Sequence, residues 1–345
     1  MTFTLLKGLL NVDNLQLSVI LFNDGKLADK IRGLDIPVVI VSEKETTFAN
    51  TFFAARKALN QINPSIIHSH RSKENILAFL LAAGRRGVSL VSTQHGMAEV
   101  HGREKGLKRR TVAKLNTFVL SKYFKVIVAV SKDIQKALID DFGYRESMVE
   151  VIYNGTEIIE DHLVSHQNGS FVIGSAGRLF PVKDYALMVE IAREVSIKTS
   201  HIRFVLAGDG PEKAKLKRLV KECSLEKTFL FSGFIDNINT FNRGLDIYIN
   251  TSSHEGIPMS ILEAMSFSVP VIAPNVGGLA EIIEDGVQGF LIDTRDPADF
   301  AEKCIALYEN ESLRREMGIA AKKRILESFS IKHMTEEYHR LYFRI

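Results

Sequence analysis

The stretch DIYINTSSHEGIPMSILEAMSFSVPVIAP, residues 246–274, decides how the chain folds. It reads as an apolar strand, DIYINTS (246–252), then a helical run, PMSILEAMSF (258–267), then a second apolar strand, VPVIAP (269–274). Pro258 suits the first helical turn, where its missing N–H costs nothing. The free amides at Gly256–Ser260 then form a place for an anion. Two carboxylates interrupt the apolar run, Glu255 just ahead of the helix and Glu263 about five residues in. That separation is roughly 7.5 Å along the axis at ~1.5 Å per residue. Buried carboxylates are costly unless something satisfies them.

Outward from this stretch, strands alternate with helices along the chain. Short apolar runs that read as buried strands lie at 17–22, 38–41, 65–70, 89–95, 125–130 and 148–153. Amphipathic stretches separate several of them, among them 72–87 and 131–143, the second with Ser131 as N-cap and Gly143 as its stop. The pattern breaks at NGTEIIEDHLVSHQNGS (154–170), a polar linker, and restarts with strands at 171–179, 202–210, 228–234, 246–252, 269–274 and 289–292. A helical tail, SIKHMTEEYHRLYF (330–343), closes the chain. Alternation of this kind implies parallel sheets with helices on both faces. The reading is an α/β protein with two Rossmann-like domains facing a cleft, residues 1–160 (linker from 154) and 161–329. Residues 330–345 are expected to cross back to the first domain. Ligands of such sheets bind at the strand ends.

Composition narrows the class. At 345 residues, with 46% hydrophobic and 25% charged residues, the chain suits two soluble globular domains. No run approaches the ~18 apolar residues of a spanning helix, and MTFTLLKGLLNVDN lacks the marks of a signal peptide. Two cysteines, Cys223 and Cys304, without CxxC spacing fit a reducing cytosol. The net charge of +3 is unevenly spread. Residues 1–155 carry 22 Lys and Arg against 14 Asp and Glu, and the remainder 22 against 27, so a basic half precedes an acidic one.

Two acceptor-only carboxylates flanking an anion site suit a ligand with hydroxyls at both ends and phosphate between, the anatomy of a nucleotide sugar. The stretch resembles the donor-binding signature of the retaining glycosyltransferases of family 4, which have the GT-B fold. Its elements are two glutamates with seven residues between them, then LEAM, a strand and VGG. The resemblance continues in LAEIIEDGVQGFLI (279–292) and, upstream, in GSAGRLFPVKDYALMVE, VLAGDGPEKAKLK, VSTQHG and VIYNG. It implies that Glu263 holds the ribose hydroxyls and that Glu255 faces the donor sugar. Arg178 and Lys183 would neutralise the pyrophosphate, with the amides around Gly256, Ile257 and Met259. His95 would approach the sugar from the first domain, and Gly177, Gly208 and Phe234 would line the nucleotide pocket. The implied activity is transfer of a sugar, with retention, from a nucleoside-diphosphate sugar to an acceptor hydroxyl in polysaccharide, lipopolysaccharide or glycolipid synthesis.

Other readings of the same residues remain open. Glu255 could be an ordinary helix-terminus charge, Glu263 a solvated one, Arg178 and Lys183 surface cations, and His95 a satisfied strand-end histidine. His68 and His70, two apart on one strand, point the same way, yet no acidic or cysteine cluster completes a metal site. No Asp-x-Asp pair follows a strand either, so neither an essential metal nor a cofactor is expected beside the donor substrate. A glycosidase pair would face two carboxyls across a bond, whereas these straddle a helix terminus. A dehydrogenase would want Gly-x-Gly-x-x-Gly after its first strand, and neither GSAGRL nor AGDGPE supplies it.

GREKGLKRRTVAKLNTFVLSKYFK (102–125) holds eight Lys and Arg against one Glu. It is either a solvated face or, through Lys108, Arg109 and Arg110, an acceptor or anionic-membrane face, worth ~1 kcal/mol per basic residue. Nucleic acid is not expected, since no reader motif is present. The implied location is cytoplasmic and peripheral on the inner face of the cell membrane. The family opens with a strand and a glycine-rich loop before its first helix, whereas here FTLLKGLL already reads as the end of that helix. The first sheet is therefore expected to lack its opening strand, as a truncated start would explain. The alternative function is a nucleotide-sugar-binding protein without turnover.

Overall fold

The computed structural model describes residues 1–42, 47–96, 107–159 and 171–345, and of 107–109 only the backbone. The chain divides into two compact units, Met1–Tyr153 with Ile331–Ile345, and Asn154–Ser330. Strands are numbered along the chain. The first unit holds β1 (Val19–Leu21), β2 (Val38–Ile40), β3 (Ile66–Ser69), β4 (Ser89–Gln94), β5 (Val126–Ala129) and β6 (Val149–Val151). The second holds β7 (Phe171–Ala176), β8 (Ile202–Ala207), β9 (Phe229–Gly233), β10 (Ile247–Ile249), β11 (Val271–Pro274) and β12 (Gly289–Ile292). Each lies within an apolar run marked from sequence, because a strand covered on both faces needs a continuous apolar segment.

In the second unit six parallel strands run in the order β12-β11-β10-β7-β8-β9. The chain winds from β7 outward to β9, returns to the middle, and winds the other way from β10 to β12. Helices Tyr185–Lys198 and Pro297–Glu309 help cover the sheet. Ile173, Phe204, Leu206, Met188, Val189 and Phe300 form its core, each almost wholly buried. Burying such a side chain stabilises by about 1.5–3 kcal/mol.

The first unit has two parallel sheets, β1-β2 and β3-β4-β5-β6. Among the described residues no strand joins β1 to β3. The helix Thr2–Leu9 places Leu5 and Leu9 in one cluster with Val91, Val126, Val128 and Ile152. Met334, Tyr338 and Leu341 of the C-terminal helix Ile331–Arg344 join the same cluster.

Several boundaries differ from the sequence expectation. The domain boundary falls after Tyr153, not after residue 160. The described part of the linker is tied to the second unit: the Thr156 amide donates to the Phe329 carbonyl (2.9 Å), and Thr156 bridges to Ser330. The helix expected over 72–87 ends at Ala82, because Gly84 and Gly87 both take positive φ. The second expected helix runs Lys132–Asp140, with the Ser131 hydroxyl accepting from the Ile134 amide at 3.1 Å, a cap worth about 1 kcal/mol.

A chain of polar contacts ties the C-terminal helix to β3 and β4. His68 Nδ1 meets the Tyr342 hydroxyl at 2.6 Å, and its Nε2 meets Thr93 Oγ1 at 2.8 Å. Thr93 Oγ1 in turn meets the Tyr338 hydroxyl at 2.9 Å. Beside them His70 Nδ1 lies 3.1 Å from His95 Nε2. Burial lowers His68 to about 3 and His95 to about 4, from an ordinary 6.5, and depresses His70 as well. His95 disfavours the charge of His68, both disfavour that of His70, and Arg71 and the Met1 amino group disfavour the charge of His70 and His95.

All three histidines are therefore neutral in the folded chain, and unfolding lets them take up protons below 6.5. Stability is expected to be full above that pH and to fall as the pH drops from 6.5 towards about 4. Melting temperatures measured across this range should show the slope, and His68→Gln should flatten it. An equal slope in the variant would refute the assignment.

Candidate active site

In the doubly wound sheet of the second unit, β7 and β10 are neighbours whose chains leave in opposite directions. Their carboxyl ends are the switch point where open α/β sheets bind ligands. The loop after β7 carries Gly177, Arg178 and a 3-10 turn, Pro181–Lys183. The loop after β10 leads through Glu255 to the helix Met259–Ser266. β10 stops at Ile249, short of the strand read from sequence. The Asn250 side-chain oxygen takes the Ser252 amide at 3.0 Å, turning the chain out of the sheet.

The two loops are stitched together. Thr251 Oγ1 donates to the Lys183 carbonyl at 3.0 Å, and the Ser253 amide donates to the Val182 carbonyl at 2.9 Å. Above these bonds Lys183 Nζ donates to Glu255 Oε1 at 2.5 Å, and Ser252 Oγ donates to the same oxygen at 2.6 Å. The Lys183 side chain is 21% exposed and that of Glu255 11%. A carboxylate so nearly buried needs such partners, which answers how the apolar stretch tolerates Glu255.

Pro258 stands at the N-cap, with ψ 122°, one position earlier than the sequence reading placed it. Its carbonyl accepts the Ile261 and Leu262 amides at 3.1 and 3.3 Å. The Met259 and Ser260 amides, in the first turn, have no intrahelical partner. Buried Ile257 is held from behind, its carbonyl accepting from Asn154 Nδ2 at 2.7 Å. Tyr248 joins the helix start to β7: its hydroxyl bonds the backbone of Ala176 and the side chain of Ser260, and burial raises its pKa.

Glycines let the loops approach. A Cβ on Gly208 would lie 1.9 Å from the Gly177 carbonyl oxygen, and one on Gly277 would lie 2.0 Å from that of Glu255. The Gly278 amide also donates to this Glu255 oxygen, at 3.1 Å. So the VGG segment fixes the backbone of Glu255, and Gly208 seats the β8 loop on the β7 loop.

The remaining expected residues are placed as follows. Arg178 is exposed, its guanidinium 5.2 Å from the Phe180 ring centre. Phe234 follows β9 and is 61% exposed. Glu263 is half-buried in the second turn of its helix. His95 ends β4 in the first unit, paired with His70. Arg110 is exposed near the start of the helix Leu107–Tyr123, while the side chains of Lys108 and Arg109 lie outside the described residues. Among the described residues no group of three or more His, Cys, Asp and Glu is arranged to hold a metal ion. Sequence reasoning missed Ser252, Thr251 and Asn154. Ser252 and Thr251 lie in the opening stretch, where the three-residue spacing of Ser252 from Glu255 is a weak signal. Asn154 lies about a hundred positions from its partner and left none.

Known proteins resemble both halves of the chain. Residues 2–158 match the profile of Glycosyltransferase Family 4, and residues 159–324 that of Glycosyl transferases group 1. The chain belongs to the group 1 glycosyltransferases. It is 25% identical over 332 residues to the UDP-Gal:alpha-D-GlcNAc-diphosphoundecaprenol alpha-1,3-galactosyltransferase of Escherichia coli, covering 92% of this chain and 84% of that one. It is 28% identical over 196 residues to the poly(ribitol-phosphate) alpha-N-acetylglucosaminyltransferase of Staphylococcus aureus, covering 56% of this chain and 40% of that one. The GT-B fold is shared with HepE of Anabaena, crystallised with UDP and glucose, at a TM-score of 0.86 and 21% identity, covering 99% of this chain and 95% of that one.

The glycine contact at Glu255 can be tested on this glycosyltransferase. Gly277 has φ +55°. Gly277→Ala must adopt that strained backbone, at about 1–3 kcal/mol, and also push the Glu255 carbonyl aside. A melting temperature several degrees lower and weakened nucleotide binding are expected. A variant with both unchanged would show that the VGG segment does not hold Glu255.

Proposed function

We propose that this glycosyltransferase uses a UDP-sugar, retains the anomeric configuration and needs no metal ion. The observation that carries the proposal is the Lys183–Glu255 pair at the switch point, beside the first turn of the helix Met259–Ser266. A cation for phosphate and a carboxylate for sugar hydroxyls already touch there. HepE, with its bound UDP and glucose, and the E. coli galactosyltransferase, which uses UDP-Gal, support the choice of base.

In this reading the donor's phosphate draws Lys183 from Glu255, and Glu255 turns to the sugar's hydroxyls. Glu263 takes the ribose. The sugar–phosphate bond breaks as the acceptor oxygen attacks the same face, and the departing phosphate oxygen takes the acceptor's proton. Lys183, Arg178 and the helix amides stabilise the charge that develops on UDP, usually the largest catalytic contribution. That cationic set serves in place of a metal ion.

A thermal-shift panel of nucleoside diphosphates and nucleotide sugars, with UDP release measured on addition of acceptor, tests the site. Glu263→Ala is expected to weaken nucleotide binding roughly tenfold or more, as loss of charged hydrogen bonds does. Lys183→Ala should lose about 10²–10³ in turnover and much less in donor affinity. Equal shifts in wild type and Glu263→Ala would sink the ribose assignment, and undiminished turnover would remove Lys183 from the mechanism.

The acceptor is proposed to be a sugar or lipid-linked sugar, reached by peripheral contact with an anionic membrane. The helix Leu107–Tyr123 exposes Val112, Leu115, Phe118 and Tyr123 among Arg110, Lys114 and Lys122, with Lys122 5.6 Å from the Phe118 ring centre. Among the described residues no helix is long and apolar enough to cross a membrane. Co-sedimentation with phosphatidylglycerol vesicles should be weakened by salt. At ~1 kcal/mol per basic residue, replacing Lys114 and Lys122 by Gln should lower binding about thirtyfold. Partitioning equal to wild type would make this helix a solvated face.

A further inference from the structure

Arg295 follows the edge strand β12, just beyond LAEIIEDGVQGFLI (279–292). Its guanidinium nevertheless reaches both loops of the switch point. Nη1 donates to the Ser252 carbonyl at 3.0 Å and Nη2 to the Thr251 carbonyl at 2.8 Å. Nη2 also pairs with the Asp184 carboxylate. Thr251 and Ser252 belong to the loop that bears Glu255. Asp184 directly follows Lys183, in a left-handed conformation (φ 44°), and starts the helix Tyr185–Lys198. One planar fork therefore spans three strand ends, β12, β10 and β7.

We propose that Arg295 is a positioning residue for the donor's β-phosphate, because its fork holds the Lys183 turn and the Glu255 loop at one fixed separation. The inference rests on the donor-site reading of Lys183. A lysine ammonium on a flexible stem stabilises a phosphate only as well as its backbone is placed. Two bonds between the loops set that backbone from one side, Thr251 Oγ1 to the Lys183 carbonyl and the Ser253 amide to the Val182 carbonyl. Arg295 braces it from the other, through Asp184. The geometry asks for arginine in particular, since a planar donor set can serve two carbonyls and a carboxylate together, which a point-like ammonium cannot. Arg295 touches neither Lys183 Nζ nor Glu255 Oε1 in this arrangement, so its effect passes through the loops.

UDP and UMP differ by the β-phosphate, so the ratio of their dissociation constants reads what the β-phosphate contacts contribute, Lys183 among them. Titration calorimetry of the full chain with each nucleotide, and with GDP and GMP as a second pair, reads that ratio. Arg295→Met is expected to shrink it about tenfold, with monophosphate binding unchanged. Arg295→Lys should lose a smaller part. In a Lys183→Ala background, where the ratio is already reduced, adding Arg295→Met should change nothing further. A purely structural Arg295 would lower the melting temperature and leave the ratio alone, and that result overturns the proposal. If Arg295→Met does not fold, an unchanged ratio in Arg295→Lys overturns it equally. A wild-type chain that binds both members of a pair alike would refute the donor-site reading itself, and this proposal with it.

Discussion

The second unit depends on one topological constraint. A parallel strand must be left by a crossover, and crossovers are right-handed. When a chain winds from β7 one way and from β10 the other, the segments after these neighbouring strands part to opposite faces of the sheet. The order β12-β11-β10-β7-β8-β9 forces that parting between β7 and β10. A crevice at their carboxyl ends is unavoidable, and whatever residues follow the two strands are brought together there. Lys183 follows the one and Glu255 the other, which is why residues 72 positions apart form an ion pair.

Proximity alone does not make a site, because loops that merely meet would move independently. Here the approach is backbone on backbone. Gly208 against Gly177, and Gly277 against Glu255, leave no room for a methyl group, so the loops interlock at the distance of main-chain contacts. Hydrogen bonds then fix their register, from Thr251 and Ser253 to the Lys183 turn and from Asn154 to Ile257. Lys183 and Glu255 satisfy each other at a nearly buried position, where a lone carboxylate would be costly. The same two charges can be redirected to a phosphate and to hydroxyls without leaving either unsatisfied, which is what a donor site needs.

The first unit solves a different problem. Its strands form two sheets, and the C-terminal helix supplies Met334, Tyr338 and Leu341 to a core shared with β4, β5 and the helix Thr2–Leu9. The polar part of that packing runs through His68, Thr93, Tyr338 and Tyr342, and burial holds the imidazole neutral so that it can both donate and accept. The pair HSH, which two-residue spacing made a tempting metal site, thus serves packing on one histidine and a contact with His95 on the other.

By itself the sequence determined the strands, their parallel class and the family, because each of these is a local signal. Apolar runs between helical periods report burial, and the two glutamates around Pro258 with LEAM and VGG carry the family resemblance. The exact ends were less legible: Asn250 stopping β10, Pro258 capping rather than entering its helix, and Asn154–Ile159 going with the second unit all depend on partners elsewhere in the chain. Only the tertiary structure decided that Lys183 rests on Glu255, that Ser252 shares that oxygen, and that Arg295 braces both loops. The reason is that strand order, not sequence distance, sets which loop ends adjoin. A fork contact made across 43 or 111 residues leaves no periodicity for a sequence to show.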